Sequence, residues 1–93
     1  MHMLQCFAMK QVRFCSHAEE KFQILKKHGF TVTKKMVLAS LKDPDKVERG
    51  YAGRWVVQKA IDKKHVLRIV YEKRPKACLV ITFYPGRRDY YES

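Results

Sequence analysis

The sequence predicts an α+β fold, in which two N-terminal helices pack on one face of a curved, mainly antiparallel sheet of about four strands. Two observations lead to this prediction. Residues 16–43 carry apolar side chains at helical spacing, interrupted at Gly29 and ended at Pro44. From Val47 onward, apolar residues recur at every second position, which is the period of a strand. At 93 residues the chain has room for one domain, spanning 1–93.

The first helix is predicted over residues 16–28, after a strand in the second half of residues 4–14. Ser16 and Glu19 match a capping box, in which the two side chains accept hydrogen bonds from the amides of the first turn. The apolar positions that follow at helical spacing are Ala18, Phe22 and Leu25. Gly29 can end the helix, because glycine adopts the left-handed conformation without strain.

The second helix is predicted to begin after Thr33, whose hydroxyl can accept from a first-turn amide. Val32 and Val37 flank the start as a hydrophobic staple. The apolar stripe is made by Val37, Leu38 and Leu41. Pro44 cannot continue a helix, so the Asp43-Pro44-Asp45 stretch is predicted to be a turn.

Three runs of strand-like residues follow, over 54–61, 66–73 and 79–84, with a short strand near 46–49 before them. Short polar turns separate the runs, which favours an antiparallel meander. The face predicted to point at the helices carries Trp55, Val57, Ile61, Leu67, Ile69, Tyr71, Leu79, Ile81 and Phe83. The opposite face, called the polar face below, carries Arg54, Gln58, Arg68, Glu72, Thr82 and Tyr84, with Val56, Val70 and Val80 between them. We expect the polar face to be open.

The charge balance is strongly positive. Twenty Lys and Arg residues oppose nine Asp and Glu residues, which gives a formal net charge of +11. Such a charge favours a polyanion as partner, because bound phosphates release their counterions. The basic residues are spread along the chain and do not form the polar face of one amphipathic helix, so a membrane is not the expected partner.

The cysteines and the hydropathy indicate where the protein resides. Cys6, Cys15 and Cys78 are odd in number and form no CxxC pair, so they are expected to be reduced, buried residues and not zinc ligands. The chain contains no apolar run of signal-peptide or membrane-spanning length. A cytoplasmic location is therefore expected.

An ordered series of residues over 16–84 carries a family resemblance. Its first half consists of His17-Ala18, Phe22, Leu25, Gly29, Leu41 and Pro44-Asp45, and its second half of Gly53-Arg54, Val57, the 67–71 run and Val80-Ile81-Thr82 with Tyr84-Pro85. The series resembles a widespread family of small bacterial and archaeal domains related to the RelE/ParE toxins, which share a fold with barnase-like and colicin-like ribonucleases. The resemblance implies two helices on a four-stranded antiparallel sheet, and a toxin-type, metal-independent endoribonuclease that acts on RNA. It also implies an acidic antitoxin protein as a second partner, and no cofactor.

RNA cleavage without a metal requires a base for the 2′-hydroxyl, cations for the crowded phosphate and an acid for the leaving oxygen. The catalytic candidates are His17, Arg68 and Tyr84. Arg68 lies in the middle of an apolar run, where it either clamps the scissile phosphate or pairs with Glu72. His17 lies at a helix start, where it either transfers a proton or only packs on the first turn. Tyr84 can stack on a base or donate a proton.

The remaining candidates are RNA-binding residues: Arg54, Gln58, Thr82, Arg87 and Arg88. Arg54 is a second phosphate ligand or a solvated strand end, and Arg87 and Arg88 belong to a tail that either contacts RNA or is a disordered basic segment. The dense Lys/Arg triplet of RelE is not evident on the strands. Two other functions therefore stay open: a non-catalytic RNA- or DNA-binding module of the same fold, and an interaction domain for an acidic antitoxin.

Overall fold

The computed structural model describes residues 11–92, and within this range five strands form a single sheet. The elements in chain order are β1 (Gln11–Phe14), α1 (Ser16–Lys27), α2 (Lys34–Lys42), β2 (Lys46–Arg49), a 3-10 turn (Tyr51–Gly53), β3 (Trp55–Ala60), β4 (His65–Arg74), β5 (Ala77–Arg87) and α3 (Arg88–Tyr91). The strand order is β1-β5-β4-β3-β2. The predicted α+β class is confirmed.

Strands β2 to β5 form the predicted antiparallel meander. The sheet differs from the prediction at β1, which lies beside β5 and runs parallel to it. The sheet is therefore mixed, with one strand more than the four expected in the described range. A parallel neighbour is reached by a long crossover, and here both α1 and α2 belong to that connection.

Helix α1 begins without the predicted capping box. Its N-cap is Cys15, with no side-chain cap, so Ser16 is already the first helical residue. The Glu19 carboxylate instead pairs with the Lys34 ammonium at 3.0 Å. The helix end is as predicted, because Gly29 adopts a positive φ of 89° and its amide donates to the Lys26 carbonyl.

Helix α2 begins as predicted. The Thr33 hydroxyl accepts from the Met36 amide at 3.1 Å. Val32 and Val37, the two residues of the predicted staple, are both buried in the core. The last helical residue is Lys42, two residues before Pro44. Local signals thus determine both ends of this helix.

The core lies between the two long helices and the sheet. Phe22 of α1 packs between Phe14 and Phe83, with ring centroids 5.7 and 4.6 Å away. Leu67 and Ile69 of β4 are fully buried beneath the helices. Burial of these large apolar side chains is the main stabilising contribution in a chain this short, at roughly 1.5–3 kcal/mol each.

Strand β5 corrects the predicted register. Tyr71 pairs with Val80 and Val70 pairs with Thr82, so Ile81 is an extra residue that forms a β-bulge. The bulge reverses the alternation, so that Val80 and Phe83 are both fully buried in the core. Leu79 and Ile81, predicted to lie in the core, are only half-buried. That part of the prediction is wrong because it extended a strict period of two through the bulge.

The cysteines also differ from expectation. Cys78 is fully buried and disulfide-bonded, so the prediction of three reduced cysteines is wrong for this residue. Cys15 carries a free thiol, which donates to the Ile81 carbonyl at 3.1 Å, and Cys6 lies outside the described residues. In the part of the chain that the structure describes, no helix is long and apolar enough to cross a membrane.

Candidate functional site

Arg68 lies at the centre of the polar face, where it is only 8% exposed. Its side chain donates three hydrogen bonds: from Nε to the Tyr84 hydroxyl at 3.1 Å, from one terminal nitrogen to Gln58 Oε1, and from the other to Glu48 Oε1 at 3.2 Å. Gln58 and Tyr84 are its direct partners in β3 and β5. Of the predicted site residues, Gln58 and Tyr84 therefore both contact Arg68, one from each side.

The electrostatics of this cluster favour the charged forms. The hydrogen bond from Arg68, helped by Lys46, holds the pKa of Glu48 below its usual value. Burial works to lower the pKa of Arg68, but its bonds to Tyr84 and Glu48 outweigh that effect and the pKa lies above its usual value. Arg68 is thus a buried, permanently charged group whose charge is partly balanced by Glu48.

Helix α3 covers Arg68 from the solvent side, so the expectation of an open polar face is wrong here. The guanidinium carbon of Arg68 lies 4.4 Å from the centroid of the Tyr91 ring. Lys46 donates to the Tyr91 carbonyl at 3.4 Å. A methyl group on Gly86 would overlap the Tyr91 ring, so glycine at this position allows the close approach of α3 to the sheet.

The alternative pairing of Arg68 with Glu72 is not formed. Glu72 instead binds Arg54 at 3.0 Å and Arg74 at 2.7 Å. These bonds, the one from Arg54 first, lower the pKa of Glu72. Arg54 is therefore on the polar face as predicted, but in this conformation its guanidinium is engaged by a carboxylate.

His17, the second residue of α1, reaches the edge of the polar face. Its Nε2 lies 3.1 Å from the Thr82 hydroxyl, to which Lys21 also donates at 3.5 Å. Strand β1 pairs with β5 only as far as Val80, so this edge of β5 is accessible to the helix beyond that point. Thr82 and Tyr84 share a face by strand alternation. His17, Thr82 and Tyr84 thus form a row that ends at Arg68.

The last two candidates lie at the other end of β5. Arg87 pairs with Asp89 at 2.9 Å, and Arg88 pairs with Glu92 at 2.8 Å. Arg88 also donates to the Asp62 carbonyl at 3.2 Å. Both arginines line a groove beside the β3–β4 turn and take no part in the contacts of Arg68. The candidates therefore form one group around Arg68 and one at this groove, and Arg54 lies apart from both, paired with Glu72.

Sequence reasoning missed two residues that contact Arg68, namely Glu48 and Tyr91. Glu48 could have been found from the alternation of β2 once its pairing with β3 was known. Within residues 11–92, no three His, Cys, Asp or Glu side chains are grouped so that they could hold a metal ion.

Comparison of the chain with family models, with curated proteins and with solved structures gives no match.

Proposed function

We propose that this protein binds RNA, mainly through the phosphate groups. The observation that supports this most is the net charge of +11 together with exposed lysines that no carboxylate neutralises. Among the described residues, Lys63 and Lys64 are exposed and have no ion-pair partner. Such cations gain free energy from a polyanion through the release of its counterions.

The contacts of Arg68 favour RNA binding over RNA cleavage. Its three donor nitrogens already have acceptors in the sheet, and the Tyr91 ring covers its plane. A phosphate could be clamped by Arg68 only after α3 moved away and at least one of these bonds was exchanged. In the conformation described here, the exposed cations are the groups that RNA can reach.

A toxin-type, metal-independent endoribonuclease related to the RelE/ParE toxins is the second candidate. It is favoured by the row of His17, Thr82 and Tyr84 that leads to Arg68. In this proposal His17 transfers a proton, Tyr84 stacks on a base or donates a proton, and Arg68 stabilises the charge of the transition state. Opening of α3 is then part of the catalytic cycle.

The experiment is incubation of the purified protein with end-labelled total RNA, with and without EDTA, followed by gel analysis of both binding and cleavage. Bound but intact RNA supports the binding proposal. Fragments that persist in EDTA support the endoribonuclease. A duplex DNA of equal length and a synthetic acidic peptide serve as competitors. RNA that remains unbound at low salt would contradict both proposals, and preferential binding of the peptide would favour an antitoxin-binding domain.

A further inference from the structure

A basic groove lies between the β3–β4 turn and the start of α3, outside the Arg68 cluster. It has a volume of about 460 Å³ and is lined by Lys63, Lys64, His65, Arg87, Arg88 and Asp89. Four of these six side chains are positively charged at neutral pH and one is negatively charged. We refer to these six residues as the turn–tail groove.

A backbone hydrogen bond joins the two segments that line the turn–tail groove, the β3–β4 turn and the start of α3. The Arg88 amide donates to the Lys64 carbonyl at 2.8 Å, which fixes the tail to the turn. Within the turn, the Asp62 carboxylate accepts from the amides of Lys64 and His65 at 2.7 Å. These bonds lower the pKa of Asp62, the one from the Lys64 amide first. A ligand would therefore meet a turn and a tail whose backbones are already ordered, which reduces the entropic cost of binding.

The cations of the groove differ in whether they are paired with a carboxylate and in how exposed that ion pair is. Lys63 and Lys64 are exposed, and within residues 11–92 neither ammonium has a carboxylate partner. Arg87 pairs with Asp89, but their side chains are 76% and 70% exposed, and such pairs contribute little free energy. Arg88 remains held by Glu92. A phosphate can therefore bind the two lysines. It can also replace the Asp89 carboxylate as the partner of Arg87, and no buried contact is broken.

An aromatic side chain adjoins these cations. Tyr90 is 74% exposed and lines a second cavity together with Arg87 and Asp89. Its ring lies edge-on to Tyr91, with the centroids 4.8 Å apart, which limits its freedom. An exposed aromatic ring beside phosphate-binding cations suits unpaired bases, because bases in a duplex are already stacked on one another.

We propose that the turn–tail groove binds the phosphates of single-stranded RNA, with Lys63, Lys64 and Arg87 as ligands and Tyr90 stacked on a base. This inference rests on the proposed RNA binding and adds the place and the strandedness of the contact. It assigns to Lys63 and Lys64 a role that their sequence position in a polar turn did not suggest.

The test is the affinity of a fluorescein-labelled oligouridylate, measured by fluorescence anisotropy over a salt series. The double variant K63Q/K64Q is compared with K26Q/K27Q, in which two adjacent exposed lysines at the end of α1 are replaced with the same loss of charge. We expect K63Q/K64Q to weaken binding roughly tenfold and K26Q/K27Q by less than about threefold. The logarithm of the binding constant falls linearly with the logarithm of the salt concentration, with a slope of roughly −0.7 per phosphate contact on a single strand. Loss of two contacts in K63Q/K64Q should therefore make this slope less negative by about 1.4.

The stacking contact is tested by Tyr90→Ser against Tyr51→Ser, since Tyr51 is also exposed, at 92%. Tyr90→Ser should reduce the preference for the oligouridylate over a duplex of equal length, and Tyr51→Ser should not. Equal weakening by the two lysine pairs, in a protein that still binds RNA, would overturn the groove assignment and leave the proposed function standing. A wild-type protein that binds no RNA would overturn the proposed function itself.

Discussion

Tyr91 and Arg68 are in direct contact, with the guanidinium carbon 4.4 Å from the ring centroid. The contact joins a residue of the short C-terminal helix to the most deeply buried cation of the polar face. It explains why an arginine can lie among valines in the middle of a sheet, because a ring covers its plane while hydrogen-bond acceptors surround its edge. It also means that access to Arg68 depends on α3.

Replacing Tyr91 with Ala should uncover Arg68. We expect a loss of about 1 kcal/mol in the free energy of unfolding, the size of a partly exposed cation–π contact, measured by urea denaturation. If the protein is an endoribonuclease, the same variant should cleave RNA faster than the wild type at equal concentration. Tyr51→Ala is the control, because Tyr51 is almost fully exposed and does not cover Arg68. Slower cleavage by Tyr91→Ala would instead mean that Tyr91 takes part in the reaction.

Replacing Gly86 with Ala should displace α3 without unfolding the sheet. The added methyl group overlaps the Tyr91 ring, and that ring belongs to a four-residue helix that packs on the sheet. We expect a destabilisation of about 1 kcal/mol in the wild type, from loss of the Tyr91 contact, and much less when Tyr91 is already Ala. A double-mutant cycle measured by urea denaturation gives the coupling. Additive effects would show that Gly86 acts through some other neighbour.

Replacing Arg68 with Ala should destabilise the fold by about 2–3 kcal/mol, because Gln58 and Tyr84 lose their buried partner and Glu48 loses its counter-charge. The measurement is the urea concentration at the midpoint of unfolding, compared between variants whose unfolding free energy depends on urea concentration with the same slope. Arg13→Ala is the matched control, since Arg13 is exposed and makes only a 3.4 Å bond to Gln11. An unchanged midpoint for Arg68→Ala would mean that the cluster adds nothing to stability.

Replacing His17 with Ala tests catalysis more cleanly than replacing Arg68, because His17 is exposed. If His17 transfers a proton, the cleavage rate should fall roughly 10²–10⁴-fold, while the thermal midpoint stays close to that of the wild type. His28→Ala, at the end of the same helix, should cleave normally, because among the described residues the His28 side chain bonds only to the Ile24 carbonyl. Equal rates for both variants would remove His17 from the proposed mechanism.

Acid should destabilise the protein through its paired carboxylates. The folded state lowers the pKa of Glu48 below its ordinary 4.5. The contribution of Glu48 to the free energy of unfolding is therefore complete above that pH, and it is lost as the pH falls through the lower pKa of the folded state. The difference in unfolding free energy between wild type and Glu48→Gln should therefore shrink below about pH 4.5. Glu20→Gln is the control, because Glu20 has no ion-pair partner in the described residues. A difference that stays constant down to pH 2 would contradict the pairing.

The end of α1 and the start of α2 were predictable because their signals are local. Thr33 caps α2 through an amide three residues away, and Gly29 ends α1 through its own backbone angle. The faces of β3 and β4 followed from simple alternation, which placed Arg68 and Gln58 together. These features depend only on residues that are near one another in the sequence.

The remaining features depend on contacts between distant residues. The bulge at Ile81 reverses the faces of β5, although the residues around it read as an unbroken strand. The covering of Arg68 by Tyr91 requires the tail to fold back over the sheet, which no periodicity encodes. The polar face was therefore assigned to the correct residues except Val80, which lies in the core, and it was wrongly predicted to be open.

The bonds of Arg68 also select one strand alignment over its competitors. Sliding β3 or β5 by two residues along β4 would keep apolar side chains toward the helices, so hydrophobic burial alone distinguishes such alignments poorly. In each shifted alignment Arg68 would face a residue other than Gln58 or Tyr84, and a buried guanidinium without acceptors is costly. A single charged residue thereby favours the native alignment of β3 on β4, because sliding β3 by two residues would place Val56 or Ala60 opposite Arg68.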